Sequence, residues 1–186
     1  MKKTNLLLAF VAGLGLSSLY AQNFGEHAVA ISIPEIAILD IESSTSSSDV
    51  TFDLNANNLE AGEEFTINET NSNLWINYTS VVQGALSSRN VTVELDAATF
   101  IQGMVLKVVA SAHTLTGGGQ YGTPTAIVTP TDLPQNLITD IGSSFTGNGQ
   151  SKGHNLTYSL DFSGNFEDLN VDGASMNFTM KYTITD

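Results

Sequence analysis

Polar and apolar residues alternate along most of this chain with a period of two. In SMNFTMKYTITD at the C-terminus, Met176, Phe178, Met180, Tyr182 and Ile184 fall on one face. Asn177, Thr179, Lys181, Thr183 and Thr185 fall on the other. Successive strand side chains point to opposite sides, so the pattern predicts a long strand with one buried and one wet face. The same alternation recurs at Val50, Phe52 and Leu54 (DVTFDLN), at Val91, Val93 and Leu95 (NVTVELD), and at Leu156, Tyr158, Leu160 and Phe162 (NLTYSLDF). NLWINYTSV and GMVLKVVASA are apolar on both faces in places, which predicts central strands. ITDI around Ile138–Ile141 is a further candidate. HAVAISI and EIAILDI flank Pro34, and a residue that cannot donate to a ladder marks a break between two strands.

The connectors ESSTSSSD, TLTGGGQYGTPT and SSFTGNGQSKGHN have turn and loop composition. No twelve-residue window carries a helical stripe, and AGEEF has room for one helical turn. No linker divides the chain and no repeat recurs. Many short alternating strands separated by turn signals predict an all-β fold. The expected form is an antiparallel two-sheet β-sandwich of Ig-like, Greek-key or jelly-roll type with roughly eight to ten strands. A closed barrel is the alternative.

The first twenty-one residues break this pattern. Lys2 and Lys3 precede an apolar run, Leu6–Leu16, that is too short to span a bilayer, and Ser18–Ala21 has the small-residue pattern of a cleavage site. The expectation is a cleaved signal peptide over 1–21, a single mature domain over 22–186, and export to the periplasm, outer surface or medium. No later run approaches transmembrane length. The chain's charge of −13 becomes −15 once Lys2 and Lys3 leave. Arg89, Lys107, Lys152 and Lys181 are scattered. Nucleic acid and anionic lipid both need clustered cations, so neither is an expected partner. There is no cysteine, which excludes disulfides, thiolate metal sites and a lipid anchor at the cleavage point.

Candidate chemistry is sparse. His27, His113 and His154 lack metal-ligand spacing, so a shared site would need the fold to gather them. No serine lies in a GxSxG elbow. Glu63–Glu64 and Glu167–Asp168 are adjacent in sequence, which on a strand sends the two carboxylates to opposite faces. Catalysis is therefore not expected. DFSGNFEDLNVDG places Asp161, Ser163 and Asn165 at alternating positions, followed by Glu167, Asp168, Asn170 and Asp172. Oxygen ligands so spaced can wrap calcium. The sixth-position glycine of an EF-hand is missing, Gly164 falling at the fourth, and Asp161 also fits the polar face of the preceding strand. A plain hairpin loop is the expectation, with a calcium loop as the alternative and no other cofactor. Sequons at Asn68, Asn77, Asn90, Asn155 and Asn177 read as strand composition.

Trp75 is the sole tryptophan. If Leu74, Ile76 and Tyr78 face the core, Trp75 lies on the outer face with Asn77 and Thr79, where it could stack on a sugar or dock a partner. The opposite phase would place it in the core, as is frequent for lone tryptophans in sandwiches, and that placement is the expectation.

Several elements taken together resemble a known group: an apolar strand near the start, the NLW of Asn73–Trp75, the GNG of Gly147–Gly149, the LTYSL of Leu156–Leu160, and a closing YTITD. The layout is similar to exported bacterial β-sandwiches that include WxL-type surface domains and spore-coat-U- or fimbrial-subunit-like proteins. The resemblance implies a non-enzymatic role at the cell surface or in an appendage.

The leading expectation is accordingly an exported, non-catalytic structural or adhesive protein, acting as a homo-oligomer or with other surface proteins. AVAISIPEIAILDI could be donated to a neighbour's sheet, although pairing within its own sheet is the simpler outcome. The alternative is a secreted carbohydrate- or ligand-binding module using Trp75, Tyr121 and the acidic loop. A secreted hydrolase is a third reading, motivated only by abundant carboxylates.

Overall fold

The computed structural model describes residues 24–54, 59–65, 67, 69–84, 88–96, 103–114, 116–162, 166–169 and 177–185. The signal peptide expected over 1–21 lies outside them. Among the described residues eight strands form: β1 Ile36–Ser43, β2 Thr70–Val81, β3 Arg89–Asp96, β4 Met104–Ala110, β5 Gly118–Pro124, β6 Gln135–Phe145, β7 His154–Phe162 and β8 Thr179–Thr185. A 3-10 turn at Phe166–Asp168 is the sole helical element among the described residues. The all-β, antiparallel expectation holds, with the strand number at the lower end of the expected range.

The ladder is one continuous sheet with two branch points. One wing runs β4-β7-β2-β1 and the other β5-β6-β3-β8, every pairing antiparallel. The wings join where Thr79 and Ser80 of β2 meet Phe145 and Ser144 of β6. Both wings feed one apolar cluster. Leu74, Ile76 and Tyr78 come from β2, Val91 and Val93 from β3, Leu137, Ile138 and Ile141 from β6, and Leu156 and Tyr158 from β7. The Tyr158 and Tyr182 hydroxyls share a 2.6 Å hydrogen bond between β7 and β8. Burial raises the Tyr158 phenol to about 12, against the opposing effect of that bond. A smaller cluster of Ile67, Met104 and Leu160 closes one end.

Three local readings change, and the ITDI strand holds with an irregular register. ITDI is part of β6, whose register against β3 slips twice, between Arg89 and Val91 and between Val91 and Thr92. These irregularities, with Asp140 at φ 60°, allow consecutive Leu137 and Ile138 both to be fully buried, so strict alternation fails there. TLTGGGQYGTPT contributes a strand rather than a loop, because β5 pairs with β6 through a glycine-rich backbone. DVTFDLN keeps its alternation, with Val50, Phe52 and Leu54 packed on the cores and Thr51 and Asp53 exposed, but it forms no ladder. HAVAISI is not a strand either. Pairing of β1 starts with Ile36 opposite Val81, the last residue of β2.

Candidate functional site

Residues 24–33, taken by themselves, form no strand and are exposed throughout. Val29, Ile31 and Ile33 alternate with Ala30 and Ser32 and are 72%, 83% and 64% exposed; Phe24 is 63% exposed. Isolated surface leucines or isoleucines are ordinary, but an alternating row of β-branched residues has the composition of a half-buried strand.

Two of the three dispersed histidines do meet. His154 opens β7 and is fully buried. Its Nδ1 lies 2.8 Å from the Ser111 carbonyl and its Nε2 lies 2.9 Å from the Tyr78 hydroxyl. A carbonyl can only accept, which assigns the proton to Nδ1. The Tyr78 hydroxyl, which has a single proton to donate, also lies against the Tyr121 carbonyl. His113 stacks on the Tyr121 ring at 3.6 Å and meets His154 edge-on at 5.6 Å. Burial holds His154 below the ordinary imidazole range. The Ser111 carbonyl partly offsets this, His113 reinforces it, and the Tyr121 carbonyl offsets it again. Burial likewise lowers His113 and raises the Tyr78 phenol. Both ring nitrogens of His154 are committed to protein partners, so the cluster ties β2, β5, β7 and the 111–114 segment together. Sequence spacing gave no sign of this grouping.

Trp75 is not in the core. Leu74, Ile76 and Tyr78 take the core face, and Trp75 lies half-buried on the other, opposite Glu42 of β1 and Asn155 of β7. The reason is the register: β1 supplies Leu39 and Ile41 opposite Tyr78 and Ile76, which fixes the phase of β2. Tyr121 sits with the histidines against Tyr78, on the core side. Trp75 and Tyr121 are therefore on opposite sides of β2 and do not form a joint surface.

The acidic loop is only partly described. Asp161 is the penultimate residue of the β7 ladder, opposite Val105, and its carboxylate takes the Lys107 ammonium at 2.6 Å. Glu167 is exposed in the 3-10 turn that also contains Asp168. Ser163, Asn165 and Asp172 lie outside the described residues. Among the described residues, no three His, Cys, Asp or Glu side chains converge as metal ligands would. His27 is exposed. No helix among them is long and apolar enough to cross a membrane.

The outer face of β2 is capped near the wing junction. Thr146, fully buried, accepts from the Tyr78 amide through its hydroxyl (2.9 Å) and donates its own amide to the Tyr78 carbonyl (3.0 Å). The following turn folds back so that Asn77 Nδ2 donates to the Gly149 carbonyl at 2.9 Å. Gly153, at φ +62°, lets this turn press on β2, where an added Cβ would lie 2.0 Å from the Ile76 carbonyl oxygen.

Comparison with protein-family models, with curated proteins and with solved structures finds no match to this chain.

Proposed function

We propose that this is an exported, non-catalytic structural or adhesive β-protein of the cell surface or periplasm, which self-assembles by strand pairing. The observation that carries the reading is the alternating pair Val29 and Ile31, solvent-exposed and outside every ladder. A full burial is worth about 1.5–3 kcal/mol for each such side chain. A neighbouring sheet edge would supply that burial together with backbone hydrogen bonds. Edges exist to receive it, since among the described residues β1, β5 and β8 each pair with one named strand, whereas β4 is also bridged at Val108 by Val128. The buried His154 supports a structural reading of the histidine cluster, because its nitrogens are occupied by Ser111 and Tyr78.

The test compares the mature protein with a variant lacking residues 22–33 and with Ile31→Asp, by light scattering and negative-stain microscopy. The wild type forms oligomers or filaments, and both variants stay folded by circular dichroism as monomers. Oligomers that persist in both variants refute strand donation by this segment. N-terminal sequencing of exported protein checks the compartment, the expected first residue being Gln22.

A further inference from the structure

We infer that the outer face at the β1–β2–β6 junction is a binding groove for a neutral saccharide. Its construction follows from register. Thr79 is the direct partner of Ile38 on one side and of Phe145 on the other. The three side chains therefore form one row across three strands. Adjacent strands lie about 4.8 Å apart, so the row spans about 10 Å. Ile38 is 63% exposed and Phe145 is 54% exposed, with Thr79 between them. The next rung along β1 and β2 pairs Asp40 with Asn77, and Asn148 of the following turn reaches the same cavity. The result is an open cavity of about 350 Å³ with an apolar row beside a polar one. That volume is at the small end of ligand sites, which run about 300–1,000 Å³.

The lining fits a pyranose better than other small ligands. A sugar ring has an apolar C–H face that packs on an aromatic or aliphatic group, and a rim of hydroxyls that need both donors and acceptors. Phe145 and Ile38 offer the first surface. Asp40 offers acceptor oxygen, Thr79 a hydroxyl, and Asn148 an amide with both functions. At the inner wall, the 96%-buried Asn77 spends Nδ2 on Gly149, while its Oδ1 has no hydrogen-bond partner among the described residues. That oxygen is sealed against Gly153 beneath the following turn, so Asn77 shapes the inner wall without itself reaching a ligand. Charge selects the class of sugar. Asp40 stands in the groove of a chain with net charge −13, which repels uronic, sialic and sulfated glycans. This site does not include Trp75, Tyr121 or the 24–33 segment, and it stands independently of strand donation.

The test is amide-detected NMR titration of the mature protein carrying Ile31→Asp, with cellotriose, mannotriose and chitotriose as neutral probes and trigalacturonate as the acidic one. At least one neutral trisaccharide is expected to shift the amides of Ile38, Asp40, Thr79 and Phe145, while trigalacturonate does not. Phe145→Ala is expected to weaken that binding about tenfold, the factor that about 1.4 kcal/mol represents. Ile38→Ser, at the other end of the row, provides a second check in case the first variant disturbs β6. The inference is overturned if no neutral probe shifts these amides, if trigalacturonate binds equally well, or if affinity survives both substitutions. A synthetic peptide of residues 24–33 that occupies the groove in preference to every sugar overturns it too.

Discussion

Acidification should expose the cost of burying His154. The imidazole is 0% exposed, and burial is the largest influence on it, lowering its pKa in the folded protein. The unfolded chain restores the ordinary value of about 6.5. Below that pH the unfolded state binds a proton that the folded state refuses, so the unfolded state gains stability and folding stability falls. The contribution is fully present above pH 6.5 and is lost as pH drops toward the depressed folded value. The slope reaches about 1.4 kcal/mol per pH unit for one excess proton. The groups acting on the ring are the Ser111 and Tyr121 carbonyls, the Tyr78 hydroxyl and His113, with no carboxylate among the shifting influences. The two carbonyls offset the cost of desolvating the cation only in part.

The perturbation that isolates this effect is His154→Phe, which keeps a ring of similar size. It leaves the Ser111 carbonyl without the donor His154 supplied, a loss of about 1–3 kcal/mol at pH 8. Urea unfolding followed by Trp75 fluorescence and far-ultraviolet dichroism, from pH 8 to pH 5.5, gives both stability curves. Wild type is expected to be the more stable at pH 8, with the gap narrowing by about 1 kcal/mol at pH 5.5. A gap that stays constant, or that widens on acidification, would mean that His154 is charged in the folded protein, and the reasoning would fail.

Two further outcomes follow from the packing. Gly119 sits at φ +100°, and a Cβ there would lie 2.2 Å from the Ser143 carbonyl oxygen and 2.7 Å from Ser144 Cα. Gly119→Ala should therefore detach β5 from β6, read as faster hydrogen exchange of β5 amides and a lower Tm; an unchanged Tm would contradict the pairing. Ile138→Ala, at a fully buried position in the bulged part of β6, should cost about 2–5 kcal/mol in urea unfolding. A loss under about 1 kcal/mol would show that the site collapses freely or is not packed as described.

Much of the fold is legible in the sequence because β-strands write their exposure directly as a period-two code. β3, β7 and β8 are cases where Val91, Tyr158 and Tyr182 fall on the expected face. The code fails where backbone geometry intervenes. The register slips in β6 bury two neighbours in succession, and glycines in β5 remove the side chains that would have alternated. It also reports facing without reporting pairing. Val50, Phe52 and Leu54 alternate correctly yet have no ladder partner, and Val29 and Ile31 alternate while exposed to solvent.

The candidate sites are legible only through register, which is a long-range property. Trp75 could face either way on its own sequence, and the choice was made by Leu39 and Ile41 on a different strand. His113 and His154 have no informative spacing, because the turn after β4 and the start of β7 become neighbours only through the β4–β7 ladder, where Ala110 pairs with Leu156. Ile38, Thr79 and Phe145 are three unremarkable residues until two antiparallel pairings set them side by side. A one-residue slip in either pairing would turn Ile38 or Phe145 to the core side and dissolve the groove. The groove and the core are therefore specified by the same alternation: the pattern that buries Ile76 and Tyr78 also sends Thr79 outward between its two apolar neighbours.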